Sequence, residues 1–355
     1  MSLRVRDAVA RMSPYEPPQY ERDPARQQFM DFNESSQPPP ESVTERLAEF
    51  ARSGPLHLYM QHGPLLDKLS DYTGAAPESL LLTNGSDQGI ELVLRAFLDP
   101  GDHCVLAQPG FAMFQQVANT IGAEVRGPVF PLEDFRFPFA EFVASVQLDT
   151  KLIVLINPNN PTGSAVTQEQ IQEIARRFPE QPVLVDEAYY EFTGETCAGL
   201  IRELPNLIVL RTFSKAFALP SLRVGYVIAD PEFIKELRKI QGPFDVNMMA
   251  AVAAEAVLDE REEMLRRVRH LMEEAKPALE AYFQERGVRY FPSKAHFLLV
   301  APDRTPELVE HLHRNDIRVR PQGTPLDHTF RMSVQPLSEM QRFMGVFDDF
   351  LEGRG

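Results

Sequence analysis

Leu210-Arg211-Thr212-Phe213-Ser214-Lys215-Ala216-Phe217-Ala218-Leu219-Pro220-Ser221-Leu222-Arg223-Val224-Gly225-Tyr226 sets a lysine among small hydroxyl residues, between two apolar runs, Leu207 to Leu210 and Val224 to Ile228. Short apolar runs of this kind read as buried strands. A lysine that does covalent chemistry must shed a proton it ordinarily holds up to about pH 10.4. Phe213, Phe217 and Leu219 favour the neutral amine, and a neutral amine can form a Schiff base with a carbonyl. Thr212, Ser214 and Arg223 supply donors suited to a phosphate-sized anion. An exposed loop lysine beside a buried, salt-bridged arginine fits the same stretch, so the neighbouring strand ends decide.

Upstream, Pro182 to Val185 is a buried strand that ends in Asp186-Glu187-Ala188-Tyr189-Tyr190. A buried aspartate is costly without a partner. A protonated pyridine nitrogen is one such partner; a turn or capping role is the other reading. Lys151 to Ile156 is a strand that runs into Asn157-Pro158-Asn159-Asn160-Pro161-Thr162-Gly163. Prolines and a glycine fix that loop at the carboxyl end of its strand, where open α/β sheets bind ligands. Behind it, Thr167-x-x-Gln170 has the capping-box form, and Ile171, Ile174, Ala175 and Phe178 share one helical face.

His103 to Ala107 is another strand, followed by Pro109-Gly110-Phe111; Phe111 is a platform for a flat ring or a core residue. Leu80 to Thr83 is a buried strand, and Asn84-Gly85-Ser86-Asp87 turns it into a helix with Ile90, Val93, Leu94 and Phe97 on its apolar face. A glycine turn entering a helix gathers free N–H groups at the positive dipole end, a ready anion site. A plain turn capped by Ser86 is the alternative.

The strand-helix-strand succession predicts an α/β fold, a mostly parallel sheet with helices on both faces. It brings four polar clusters to one sheet edge: Gly85-Ser86, Asn160, Asp186 to Tyr189, and Thr212 to Lys215. A Schiff-base lysine beside a phosphate pocket is the protein's side of pyridoxal phosphate chemistry. Beyond Glu260 the pattern changes. A long charged helix runs to about Phe283, with a kink predicted at Pro277. Short strands and helices follow (His296 to Val300, Glu307 to His313, Ile317 to Arg320, Phe330 to Val334, Ser338 to Leu351), the pattern of a smaller α+β domain. Residues 1 to 41 are rich in proline and charge, with Phe29, Met30 and Phe32 predicting an arm packed on the body. A helix runs from Glu41 to about Ala51, and Tyr59 lies in a loop before a helix through Leu65, Leu66 and Leu69. The predicted division is 42–258 for the large domain, with 1–41 and 259–355 forming the arm and the small domain.

The 355 residues suffice for two such units, and the formal net charge of −15 disfavours nucleic acid and anionic membrane. An anionic substrate then needs local arginines. No apolar run approaches the roughly 18 residues of a membrane span, and the N-terminus has no signal-peptide pattern. The two cysteines, Cys104 and Cys197, have no metal-like spacing and suit a reducing cytoplasm.

Four motifs together carry a family resemblance: Asn84-Gly85-Ser86-Asp87-x-Gly89-Ile90-Glu91-Leu92, Asn157 to Gly163, Asp186-Glu187-Ala188-Tyr189, and Arg211 to Phe217. Nearly the whole chain, from Met12-Ser13-Pro14-Tyr15 to Phe330-Arg331, resembles the fold type I pyridoxal phosphate (PLP)-dependent aminotransferases of class I/II, and within them the histidinol-phosphate aminotransferase branch. The resemblance implies PLP as cofactor, with Lys215 as the Schiff-base lysine and proton shuttle. It implies Asp186 as the carboxylate at the pyridine nitrogen, and Asn160 with Tyr189 on the ring's phenolic oxygen. Ser86 and Asp87 N–H groups, Thr212, Ser214 and Arg223 resemble the phosphate cup, and Phe111 the stacking aromatic. Tyr59 resembles a tyrosine that reaches the neighbouring subunit's phosphate, which implies a homodimer with shared sites. Arg331, Arg320, Asn33 and Tyr15 are the implied substrate contacts.

The chain departs from the family at Phe111 (often tyrosine), Pro220-Ser221 (usually Ala-Gly), His296 (usually asparagine) and Gln335 (usually glycine). The implied reaction moves an amino group between glutamate and a keto substrate, with histidinol phosphate first, as in histidine biosynthesis. An aromatic amino-acid aminotransferase and a decarboxylase of a phosphorylated amino acid are the alternatives.

Overall fold

A computed structural model describes residues 4–14 and 22–353. Its centre is a seven-stranded sheet. The order across it is Leu80–Thr83, Gly225–Ala229, Leu207–Thr212, Val183–Asp186, Leu152–Ile156, His103–Leu106 and Glu124–Arg126. Gly225–Ala229 runs antiparallel to both its neighbours, and the other strands run parallel to one another. The central strands are apolar along their length because both faces are covered. Odd and even positions of Leu152–Ile156 are alike buried, and its side chains divide between two separate apolar cores.

Parallel strands end on one edge, so Thr83, Ile156, Asp186 and Thr212 come into line there. The antiparallel strand begins at that same edge: Gly225 pairs with both Thr83 and Thr212, which brings Arg223 to it from the opposite chain direction.

A second, antiparallel sheet in the order Arg320–Pro321, Phe330–Ser333, Phe297–Ala301 and Arg289–Phe291 forms the smaller domain. Helices Lys276–Glu285, Thr305–Arg314 and Leu337–Leu351 cover it, with Leu279, Phe283, Leu298, Leu312, Phe343 and Phe347 in its core. Part of the N-terminal segment reaches the small domain. Gln28–Phe29 pairs in parallel with Ile317–Arg318, and Met30 is fully buried in the small-domain core. Tyr15 lies outside the described residues.

Two expectations change. The long helix after Glu260 is not regular α-helix up to Pro277. It passes from Arg261–His270 through a wide π turn, Leu271–Ala275, into Lys276–Glu285. Pro277, which has no N–H to donate, follows just after the π turn. Ser86 is not an N-cap either, because the helix Gly85–Phe97 starts one residue earlier, after Asn84. No helix among the described residues is long and apolar enough to cross a membrane.

Candidate active site

The aligned strand ends open into a cavity of about 280 Å³. Every candidate except Tyr15 and Tyr59 lines it: Asn33, Ser86, Asp87, Phe111, Asn160, Asp186, Tyr189, Thr212, Ser214, Lys215, Arg223, Arg320 and Arg331. Tyr59 lies elsewhere, 80% exposed and stacked on Phe244 at 4.0 Å between ring centroids.

Lys215 is a partly buried lysine, not an exposed loop residue. Its Nζ donates to the Phe32 carbonyl at 2.8 Å. Burial first, and then the Arg331 charge, push its pKa down to about 8. Asp186 is almost wholly buried and accepts the Ala188 N–H at 3.1 Å. Burial pushes its pKa up to about 7, with Asp87 and Glu187 adding to the shift and Lys215 opposing it. A carboxyl in that position calls for a cationic donor. A protonated pyridine ring is such a donor.

The Tyr189 hydroxyl receives two amide donors, Asn33 Nδ2 at 3.0 Å and Asn160 Nδ2 at 3.5 Å. Those bonds occupy its lone pairs, which leaves its own proton to donate. Arg331 is buried and donates to Asn160 Oδ1 and to the Asp31 carbonyl. Arg320 is its cross-strand neighbour, with one guanidinium nitrogen, Nη1, buried and without a hydrogen-bond partner among the described residues.

The anion donors surround the start of helix Gly85–Phe97, whose first N–H groups have no partner inside the helix. Arg223 Nη2 pairs with Asp87 at 2.9 Å, and Thr212 donates to Ser214 at 3.0 Å. Two glycines make this packing possible. Gly85 has φ +73°, and a Cβ there would come within 2.6 Å of Arg223 Nη2; a Cβ on Gly225 would lie 2.8 Å from Ser86 N. Helix amides, two hydroxyls and a guanidinium converge as a phosphate would need, in the same cavity as a lysine and a buried carboxylate. The residues present therefore fit pyridoxal phosphate.

The buried, salt-bridged arginine of this region is Arg211. It pairs with Glu187 at 3.0 Å, lies 3.6 Å from the centre of the Tyr190 ring, and pins the turn after Asp186 from behind. The sequence gives no sign that Asp31 and Phe32 belong to the site, because they act there through backbone carbonyls, which leave no side-chain signature. Gln322 also lines the cavity.

The family model for aminotransferase class I and II matches residues 29–347. A histidinol-phosphate aminotransferase of Thermoanaerobacter sp. (strain X514) is 37% identical over 277 residues, covering 76% of this chain and 77% of that protein. A dihydroxyacetone phosphate transaminase of Campylobacter jejuni is 31% identical, covering 92% of this chain and 90% of that one. The crystal structure of histidinol-phosphate aminotransferase from Sinorhizobium meliloti, in complex with pyridoxal-5'-phosphate, superimposes with a TM-score of 0.87 at 21% identity and covers 98% of both chains.

Proposed function

The chain belongs to the class I and II aminotransferases, and from that membership we propose that it moves an amino group between glutamate and a phosphorylated substrate, histidinol phosphate being the foremost candidate. One observation carries the substrate reading. Arg320 and Arg331 face each other across two antiparallel strands at one cavity, and Arg320 keeps a buried guanidinium donor unpaired among the described residues. A carboxylate can be held by one planar fork, whereas a phosphate has a third oxygen and a further charge for a second. The relatives named above, for histidinol phosphate and for dihydroxyacetone phosphate, support a phosphorylated substrate.

When bound, pyridoxal phosphate supplies the electron sink that makes the substrate's Cα–H acidic, and it stores the amino group between half-reactions. The chain does the rest. Ser86 and Asp87 N–H groups, Thr212, Ser214 and Arg223 would hold its phosphate. Asp186 would hold a proton at the ring nitrogen, and Tyr189 and Asn160 would donate to the phenolic oxygen. Lys215 would anchor the cofactor and move the proton at the substrate's Cα. Its low proton affinity suits that work near neutral pH.

A half-reaction screen of the PLP form against histidinol phosphate, phenylalanine, glutamate and threonine phosphate tests the assignment. Arg331→Lys is expected to weaken both half-reactions by roughly 10- to 100-fold, because an ammonium cannot reproduce a bidentate, charge-assisted fork. Arg320→Lys is expected to weaken the phosphate substrate more than glutamate. Rates of each half-reaction against substrate concentration decide. Loss confined to glutamate, with histidinol phosphate unaffected or never a substrate, would promote an aromatic amino-acid aminotransferase instead.

A homodimer with shared sites belongs to the same proposal. Tyr59 and Phe244 stack in the open, with Leu56, Leu58 and Met60 also exposed nearby in sequence. An aromatic pair in water has little use within its own chain. Lys215→Ala and Tyr59→Phe chains mixed in one preparation are expected to regain activity, because one hybrid site has both residues intact. Activity no higher than dilution predicts would mean that each site is built from a single chain.

A further inference from the structure

The geometry points to His296 as a positioning residue, which fixes the Tyr189 hydroxyl by holding the backbone of Asn33; this rests on the cofactor reading above. His296 precedes the strand Phe297–Ala301 of the small domain and is buried. Its ring stacks on Phe192 of the large domain, with centroids 4.0 Å apart and planes 18° from parallel. Nε2 lies 3.2 Å from the Asn33 carbonyl oxygen. A carbonyl only accepts, so Nε2 carries the hydrogen. Nδ1 is buried and has no hydrogen-bond partner among the described residues. A second ring proton would be an unpaired buried donor facing Lys215, Arg331 and Lys276, so the ring is neutral, and burial with those cations pushes its pKa down to about 3.

Asn33 has φ +54°, the left-handed region, which asparagine enters more readily than most residues that carry a side chain. In that conformation its Nδ2 reaches the Tyr189 hydroxyl at 3.0 Å, and its Oδ1 lies 3.5 Å from Ser333 Oγ. Three successive carbonyls of this segment are tied to three basic side chains. Asp31 is tied to Arg331, Phe32 to Lys215 and Asn33 to His296. Lys215 and Arg331 line the cavity, so a bound cofactor and substrate compete for them. His296 lies behind the cavity wall, and nothing bound in the cavity competes for it. Its bond is the tether that survives when the other two are drawn away, and it keeps the Asn33 amide on Tyr189 throughout. An asparagine in its place would have no ring to stack on Phe192.

The consequence is readable without turnover. Tyr189, donating to the phenolic oxygen, competes for that oxygen with the proton on the Lys215 nitrogen. A loosened Tyr189 lets that nitrogen keep its proton to higher pH. Arg331, Asp186 and Asp87 face Tyr189, and Arg331, Glu34, Asp87 and Arg223 face Lys215, all unchanged in the variants used.

The experiment is a spectrophotometric pH titration of the protein reconstituted with pyridoxal phosphate. His296→Phe keeps the ring and loses the donor. Its absorbance midpoint is expected to rise by roughly half a unit to one unit, the size of one weakened hydrogen bond. His296→Gln, which restores a donor, is expected to recover most of that shift. Asn33→Gly tests the same relay without touching the buried ring, since glycine keeps the left-handed backbone. It is expected to match His296→Phe, and the double variant to add nothing. Unmoved midpoints, or shifts that add in the double variant, overturn the relay alone. A parent protein that takes up no pyridoxal phosphate overturns both the relay and the cofactor reading.

Discussion

Lys215→Ala is expected to lower transamination at least about 10⁴-fold, because one change removes both the covalent anchor and the base that moves the Cα proton. Borohydride reduction of the parent loaded with pyridoxal phosphate, followed by peptide mapping, is expected to place the pyridoxyl group on Lys215. A label on another lysine would remove the central assignment. The same substitution has a stability signature of the opposite sign. The Lys215 pKa is about 8 in the folded chain, against an ordinary value of 10.5. Between those pH values the unfolded chain binds a proton that the folded chain does not, so stability rises with pH across that window. Below pH 8 the folded chain carries the full cost of the enclosed charge, on the order of 3 kcal/mol. The cofactor-free alanine variant is therefore expected to melt no lower than its parent at pH 7, with its advantage shrinking between pH 8 and 10.5. Thermal melts of both proteins across that range check it.

That trade-off explains why so much of the site could be read before its geometry. A strand covered on both faces is an uninterrupted apolar run, and the runs ending at Ile156, Asp186 and Thr212 stand out for that reason. Polar residues at the ends of such runs violate the local pattern, and violations cluster where chemistry overrides stability. Lys215, Asp186 and Asn160 were legible on that ground.

Residues that act through the backbone were not. Asp31 and Phe32 offer carbonyls, and any side chain could stand above them. The left-handed turn at Asn33 is set by contacts with Tyr189, Ser333 and His296, the nearest of them more than a hundred residues away. The helix Met248–Asp259 shows no amphipathic period in the sequence, because alanines are buried around much of it. Pro231–Ile240 carries its own start signals, with Asp230 capping it and Pro231 in its first turn. Tyr59 stays without a contact in the cavity of its own chain, as a residue that completes a neighbour's site would.

Asp186→Ala is expected to retain covalent attachment at Lys215 while turnover falls on the order of 10²–10⁴-fold, the range for a side chain that keeps a proton where the reaction needs it. The argument begins with what the fold does to Asp186 by itself. Burial raises its pKa from the ordinary 3.8 to about 7. Between those values the folded chain holds a proton that the unfolded chain releases, so stability is fully present below pH 3.8 and falls as pH rises to 7. Above pH 7 the buried carboxylate costs on the order of 4 kcal/mol in the cofactor-free protein. Asp186→Asn keeps the shape and the acceptor for Ala188 N–H without the charge. Its cofactor-free form is expected to melt above the parent at pH 8, with the gap closing by about pH 4. Pyridoxal phosphate should reverse the order, because a ring nitrogen carrying a proton gives the carboxylate the cationic donor that burial demands and gives asparagine nothing comparable. Melts with and without cofactor at pH 8 therefore measure the Asp186 interaction separately from turnover. If the cofactor raises both proteins' melting temperatures equally and Asp186→Ala turns over near the parental rate, Asp186 serves the strand end and the electron sink depends on another group.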